Sequence, residues 1–145
     1  MDKVDFDSPS VTSYLTVLQT VITRMATNSA SSKTWCITLV SAMIVIVADK
    51  GKPAYIGIPS IPILLFFLLD SYYLSLERQF RSVYNEFIKK VQFGNATVDD
   101  VFLIAPRESV LHSTKSIAAA ACSIATWPFY VLLATMLLVV RTWIL

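Results

Sequence analysis

The chain has 145 residues, of which 55% are hydrophobic and 15% charged, and its formal net charge is +2. A soluble domain has about 45–50% apolar and about 25% charged residues. The apolar excess is gathered into three runs, at residues 35–48, 56–69 and 117–140. This pattern predicts an all-α integral membrane protein with one small polar module, and it argues against two soluble domains.

Residues 1–33 predict an N-terminal amphipathic helix and a connector. Ser8 is the expected N-cap and Pro9 the first helical residue. Apolar side chains then recur at heptad spacing: Val11, Leu15, Leu18, Ile22 and Met25. This stripe either lies on a membrane surface or packs against partner helices, and the scarcity of basic residues on the polar face favours helix packing. Residues 27–33, TNSASSK, are small and polar and predict the connector.

Residues 34–73 predict a transmembrane helical hairpin, because two apolar runs flank the turn sequence DKGKP. The second helix continues past residue 73 without a Gly or Pro, so we expect it to extend into the cytoplasm as far as about Gln92. Gly94 is a natural C-cap. Residues 74–116 therefore combine this cytoplasmic helix with a small irregular ligand-sensing module, in which residues 101–105, VFLIA, suit a short strand.

Residues 117–145 predict a third transmembrane helix. Pro128, within the sequence TWPFY, should kink it because proline removes one backbone hydrogen bond. Ser116, Ser123 and Thr126 are candidate pore or gating residues together with Pro128. The alternative is that this Ala- and Ser-rich stretch forms a crowded helix interface.

The lysines and arginines predict the topology. An N-terminus in the cytoplasm places nine of them inside: Lys3, Arg24, Lys33, Arg78, Arg81, Lys89, Lys90, Arg107 and Lys115. Only Lys50, Lys52 and Arg141 are then outside. Because cytoplasmic loops are enriched in basic residues, a multi-pass inner-membrane protein with its N-terminus inside and its C-terminus outside is expected.

Basic residues interleaved with aromatic ones form a candidate ligand site: Arg78, Arg81, Lys89, Lys90, Arg107 and Lys115, with Tyr84 as a stacking ring. Such a set suits an anionic ligand that contains bases. The alternative is an ordinary basic flank beside a membrane. Asp70, at a membrane boundary, needs a partner. Arg24, Lys33 and Arg78 are candidates, and Asp70–Arg24 is the predicted structural pair.

No enzyme chemistry is predicted. The single histidine, His112, has no nucleophile pattern nearby, and three glycines give no phosphate-binding loop. Cys36 and Cys122 lack the spacing of metal ligands and are expected to be small buried hydrophobes. We therefore expect no metal and no cofactor.

Four segments resemble a family of small bacterial membrane proteins with three spans. They are VITRMATNSASSKTW at residues 21–35, LLDSYYLSLERQFRSVYNEF at 68–87, VDDVFLIAP at 98–106 and SIATWPFY at 123–130. The segment with Asp70, Tyr72, Tyr73, Leu74, Glu77 and Arg78 is the most specific. SIATWPFY departs from the more usual Ser-Pro-Thr start.

Some proteins of this kind resemble the membrane effectors of anti-phage systems encoded beside a nucleotidyltransferase, as in Hailong. The resemblance implies a homo-oligomer, expected to be a tetramer, that binds a nucleotide-derived oligomer such as a single-stranded oligodeoxynucleotide on its cytoplasmic side and depolarises the cell. The alternative is a non-conducting membrane anchor or assembly subunit for a soluble partner enzyme. A holin-like lysis protein fits the size of the chain but not its long amphipathic helix.

Overall fold

The computed structural model describes residues 8–51, 53–97, 100–101 and 110–143. Four α-helices account for most of them: α1 Pro9–Lys50, α2 Ser60–Gln92, α3 Val110–Ala121 and α4 Trp127–Trp143, with a 3₁₀ turn at Pro53–Gly57. The all-α prediction is confirmed for these residues. Two helical segments, Pro9–Lys50 and Tyr55–Gln92, are long and apolar enough to cross a membrane.

The helix α1 is one unbroken rod of 42 residues, about 63 Å long at 1.5 Å per residue. It begins as predicted, with the Ser8 side chain accepting a hydrogen bond from the N–H of Val11 at 3.4 Å. Gly51 ends it in the left-handed conformation, φ 57°. Most residues adopt that conformation only at a cost, which a glycine lacks.

The predicted connector at residues 27–33 is wrong, because these residues lie inside α1. The Ser32 hydroxyl donates to the carbonyl of Asn28 at 2.9 Å, so its hydrogen bond is made within the helix. Ser29 and Ser32 are also buried against the rest of the chain. Small side chains at this point allow the neighbouring helix to approach closely, and this packing outweighs the weak helix propensity of serine.

The heptad stripe packs against the C-terminal part of α2. Val11, Tyr14 and Leu18 are buried in one cluster with Phe87 and Val91. The Tyr14 and Phe87 rings meet edge to face, 4.7 Å between centroids. The stripe therefore has an intramolecular partner and is not left free to hold an oligomer or to lie on a lipid surface.

Replacing Leu18 with alanine should destabilise this helix pair by about 2–5 kcal/mol, because it opens a cavity at a side chain that is 0% exposed. Leu15 only flanks the same cluster, so Leu15→Ala should cost clearly less. Thermal unfolding of both variants in mild detergent measures the difference. Equal losses would show that the stripe does not pack as described.

A second cluster holds the other half of the hairpin and α4 together. Cys36 and Val40 of α1 meet Ile63 of α2 and the buried face of α4, which includes Tyr130 and Leu137. The Tyr130 ring packs edge to face on Phe67, 5.3 Å between centroids, and its hydroxyl donates to the Phe66 carbonyl at 3.0 Å. Since Tyr130 lies beside Phe66 and Leu137 lies near Ile63, α4 runs antiparallel to α2.

The third apolar run is two helices rather than one kinked helix. A non-helical segment at residues 122–126 separates α3 from α4. The Ser123 carbonyl accepts the N–H of Thr126 at 2.9 Å and that of Trp127 at 3.1 Å, and this pattern starts the new helix. Pro128 is the second residue of α4, so the break precedes it. Helix α3 also begins at Val110, inside the module that the sequence predicted as irregular; residues 102–105 of the proposed strand lie outside the described residues.

Pro128→Ala should consequently change the free energy of unfolding by less than about 1 kcal/mol. The first four N–H groups of a helix have no partner within it, so a proline at the second position removes no helical hydrogen bond. Thermal unfolding in detergent tests this. A gain of about 3 kcal/mol, expected when a proline is removed from the interior of a helix, would instead support the kink that the sequence predicted.

Candidate functional site

A polar groove runs between the N-terminal part of α1 and the C-terminal part of α2. Its volume is about 500 Å³, and Arg81, Tyr84 and Asn85 of α2 line one side. Apart from Ile22, the side formed by α1 is made of small or polar residues: Gln19, Thr23, Ala26, Thr27 and Ala30. Small residues on α1 leave the space, and α2 supplies the larger functional groups.

Tyr84 lines both this groove and a second, more apolar groove of about 330 Å³, which lies nearer the start of α1. Gln19 borders both grooves. The Tyr84 side chain is half-buried, so its ring is held by packing while part of it remains accessible. A fixed aromatic face between two cavities can stack a planar group placed in either of them.

Arg81 carries the positive charge of the groove, and it is balanced by Glu77. The Arg81 guanidinium lies 2.8 Å from the Glu77 carboxylate one turn earlier. The arginine side chain is 61% exposed, whereas that of Glu77 is 13% exposed. Such a pair contributes little to stability because its arginine is well solvated. A phosphate entering the groove would compete with Glu77 for the guanidinium.

The structure separates the other predicted ligand residues. Arg78 points to a different neighbour, and its guanidinium donates to the Ser123 hydroxyl at 2.6 Å. Lys89 is exposed and stands two turns beyond Arg81, on the same face as Asn85. Lys115 is exposed on α3, and Arg107 lies outside the described residues. Of the predicted residues that the structure describes, only Arg81 and Tyr84 line the groove. The sequence did not predict Asn85, Gln19 and the threonines as part of it.

Lys90 is held by acidic groups. Its ammonium lies 2.9 Å from Asp100 and 3.5 Å from Glu86. Asp100 also accepts hydrogen bonds from the Thr97 hydroxyl at 2.9 Å and the Thr97 N–H at 3.1 Å. The hydrogen bond from Lys90, followed by that from the Thr97 backbone, lowers the pKa of Asp100 from 3.8 to about 2. Lys90 thus stabilises the turn after α2 through Asp100, and its ammonium is already paired with carboxylates.

This contact predicts a dependence on acid. Because the pKa of Asp100 is lower in the folded chain, its contribution to stability is present above about pH 4 and lost as the pH falls toward about 2. A carboxyl ¹³C NMR titration should give a midpoint near 2 for Asp100. In Lys90→Met the midpoint should move up toward 3.8, whereas Glu86→Gln should move it little. A midpoint that Lys90→Met leaves unchanged would contradict the contact.

Asp70 is completely buried, and Lys33 and Ser29 of α1 are the partners that join it to that helix. The Lys33 ammonium lies 2.6 Å from one carboxylate oxygen, and the Ser29 hydroxyl donates to the other at 2.5 Å. The predicted partner Arg24 is wrong, because it is exposed on another face of α1. Lys33 was among the candidates. The ion pair joins α1 to α2 at the boundary between the polar and apolar halves of the hairpin.

Buried polar side chains continue from this pair along α2, at Ser71, Ser75 and Gln79. The Gln79 amide donates to Ser75 at 3.2 Å, and Ser75 donates to Ser116 of α3 at 2.9 Å. Thr126 is 0% exposed, and its hydroxyl has no hydrogen-bond partner within the described part of the chain. The residues predicted to line a pore therefore have separate roles. Ser116 connects α3 to α2, Ser123 connects the segment between α3 and α4 to α2, and Thr126 is buried.

Neither family models, nor curated proteins, nor solved structures gave a match to this chain. Of the described residues, no group of His, Cys, Asp and Glu could hold a metal ion. The groove and the ion pair are therefore interpreted from their own chemistry.

Proposed function

We propose that the chain is an integral protein of the bacterial inner membrane with its N-terminus in the cytoplasm. Large exposed hydrophobic side chains support this placement. Apart from Val17 and Phe93, all of them lie within residues 35–72 or 124–139, and they include Trp35, Ile61 and Leu132 at 62–70% exposed. A soluble protein rarely exposes so extended an apolar surface. Lipid would cover it on α1, α2 and α4, which makes three spans.

Charged residues would mark the two edges of this apolar layer. Lys33 and Asp70 stand at one edge, and Asp49, Lys50 and Arg141 near the other. Between Lys33 and Asp49 the helix rises about 24 Å at 1.5 Å per residue. This is shorter than a hydrocarbon core of about 30 Å, so the bilayer would thin locally around the protein.

The proposed activity is that of a ligand-gated membrane effector in anti-phage defence. A nucleotide-derived oligomer would bind the groove, and a homo-oligomer, expected to be a tetramer, would then depolarise the cell. One observation carries this proposal: α2 is a single helix of 33 residues that bears the groove at one end and the apolar layer at the other. Since an unbroken helix transmits rotation along its length, ligand binding at Arg81 can reach the bilayer. A nucleotidyltransferase encoded nearby would supply the ligand.

The proposed conducting path lies along α1, not along the third span. Thr34, Thr38 and Ser41 are exposed on one face of α1, within the stretch that would cross the bilayer. Neighbouring exposed positions such as Trp35 and Ile37 are apolar. In a ring of copies, this hydroxyl-bearing face would point to the axis while the apolar positions meet lipid or one another.

A non-conducting membrane anchor for a soluble enzyme is the second candidate, and one observation favours it. The hydroxyls of Thr34 and Thr38 donate to the carbonyls of Ala30 and Thr34, at 3.2 and 2.8 Å. Hydroxyls that are satisfied by their own helix can face lipid without water. The threonine face alone therefore does not require a pore.

Ion flux from liposomes separates the two candidates. Purified protein is reconstituted in vesicles loaded with an ion-sensitive dye, and a single-stranded oligodeoxynucleotide is added to the accessible side. A channel effector should release ions only when the oligonucleotide is present. Vesicles that bind the oligonucleotide and stay tight would favour the anchor, and vesicles that neither bind nor leak would remove the ligand from the proposal.

A further inference from the structure

A third cavity, far from the polar groove, lies where α4 ends beside the beginning of α2. Its volume is about 280 Å³, and its walls are mostly apolar, with Ile56, Ile63, Leu137 and Leu138. Ala134 also lines it. Since alanine is small, it leaves room between the larger side chains of neighbouring turns.

One charged group borders this apolar cavity, and it is Arg141 in the last turn of α4. Arg141 is exposed and takes part in no ion pair found among the described residues. Ser60, the other polar residue there, already donates its hydroxyl to the Gly57 carbonyl at 2.5 Å. A ligand would therefore enter an apolar cavity that has one available cation, Arg141, at its rim.

We propose that this cavity binds an anionic phospholipid, with an acyl chain between α2 and α4 and the phosphate on Arg141. The inference rests on the membrane placement proposed above, which puts the cavity in the lipid layer and Arg141 at its outer edge. Guanidinium groups bind phosphate through paired, charge-assisted hydrogen bonds. An arginine near a helix end also keeps its head at the interface while its stem lies on apolar surface. The bound lipid would tie the end of α4 to the start of α2.

Native mass spectrometry of the full chain in mild detergent tests the proposal, by titration with phosphatidylglycerol and with phosphatidylcholine of the same acyl chains. Both lipids carry a phosphate, but the choline ammonium of phosphatidylcholine competes with Arg141 for it. Phosphatidylglycerol has no such cation and should bind about tenfold more tightly. Arg141→Gln should abolish this preference, whereas Arg24→Gln, an exposed arginine on α1, should keep it. Ala134→Trp should fill the cavity and weaken both lipids, whereas Ala42→Trp, exposed on α1, should not.

Equal binding of the two lipids by the parent protein, or an unchanged preference in Arg141→Gln, would overturn the site. A change of oligomeric mass in Ala134→Trp without any loss of bound lipid would do so too, because the cavity would then be covered by a second copy. Membrane placement is tested separately, by measuring how much of the expressed chain is recovered in the membrane fraction. A chain that is found in membranes but lacks lipid preference would refute the lipid site and leave the proposed function standing.

Discussion

Lys33→Met is expected to destabilise the folded chain by about 3–5 kcal/mol, because it leaves the Asp70 carboxylate buried without a counter-charge. Asp70 has no exposed surface, and Lys33 approaches one of its oxygens at 2.6 Å. The hydroxyl of Ser29 on the other oxygen cannot replace a full positive charge. Thermal unfolding in detergent, followed by circular dichroism, measures the loss.

The matched control is Arg24→Met, which removes an exposed basic residue from the same helix and should change the melting temperature little. The double variant Lys33→Met with Asp70→Asn should recover much of the lost stability, because removing both charges of a buried pair is often nearly neutral. A double variant as unstable as Lys33→Met alone would show that the charges are not coupled. The pair would then act only through the shape of its side chains.

The continuous second helix was readable from the sequence. No Gly or Pro interrupts the chain between Pro62 and Gly94, and the helix ends where Gly94 takes φ 65°. The N–H of Asn95 closes the end by donating to the Lys90 carbonyl at 2.9 Å. The absence of Gly and Pro and the capping glycine are both local signals. They therefore do not depend on what the helix packs against.

The continuity of α1 was missed, although a signal for it exists. Beyond Met25, buried positions recur at spacings of four, three and four, at Ser29, Ser32 and Cys36. The apolar stripe thus continues through the presumed connector with serine in place of large side chains. Composition suggested a loop, whereas periodicity indicates a helix whose buried face has become small and polar.

The partner of Asp70 follows from the same periodicity. Lys33 stands one turn after the buried Ser29, whereas Arg24 falls between the buried Ile22 and Met25 and points away. The composition of the groove could not be derived in this way. Whether Arg78 or Arg81 faces α1 depends on how the two helices cross and how far one slides along the other. These quantities are set by contacts such as Tyr14 on Phe87, which join residues far apart in the chain.

Arg81→Gln is expected to weaken binding of a single-stranded oligodeoxynucleotide by about 10- to 100-fold, because it removes the charge-assisted contact to phosphate in the groove. Tyr84→Ala should also weaken binding, by losing a stacking face. Fluorescence anisotropy with a labelled oligonucleotide, at several salt concentrations, measures both. The salt dependence should fall by about one phosphate contact in Arg81→Gln and stay nearly the same in Tyr84→Ala.

Two further variants make this test specific to the groove. Lys115→Gln removes an exposed charge on α3, outside the groove, and should bind almost like the parent. Glu77→Gln releases Arg81 from the carboxylate that holds it at 2.8 Å, so it should bind more tightly than the parent. If the ligand bound a general basic surface instead, Arg81→Gln and Lys115→Gln would lose the same affinity, because such binding depends on the number of charges and not on their position. That outcome would move the ligand off the groove, and α2 would then have no ligand signal to carry from Arg81 to the apolar layer.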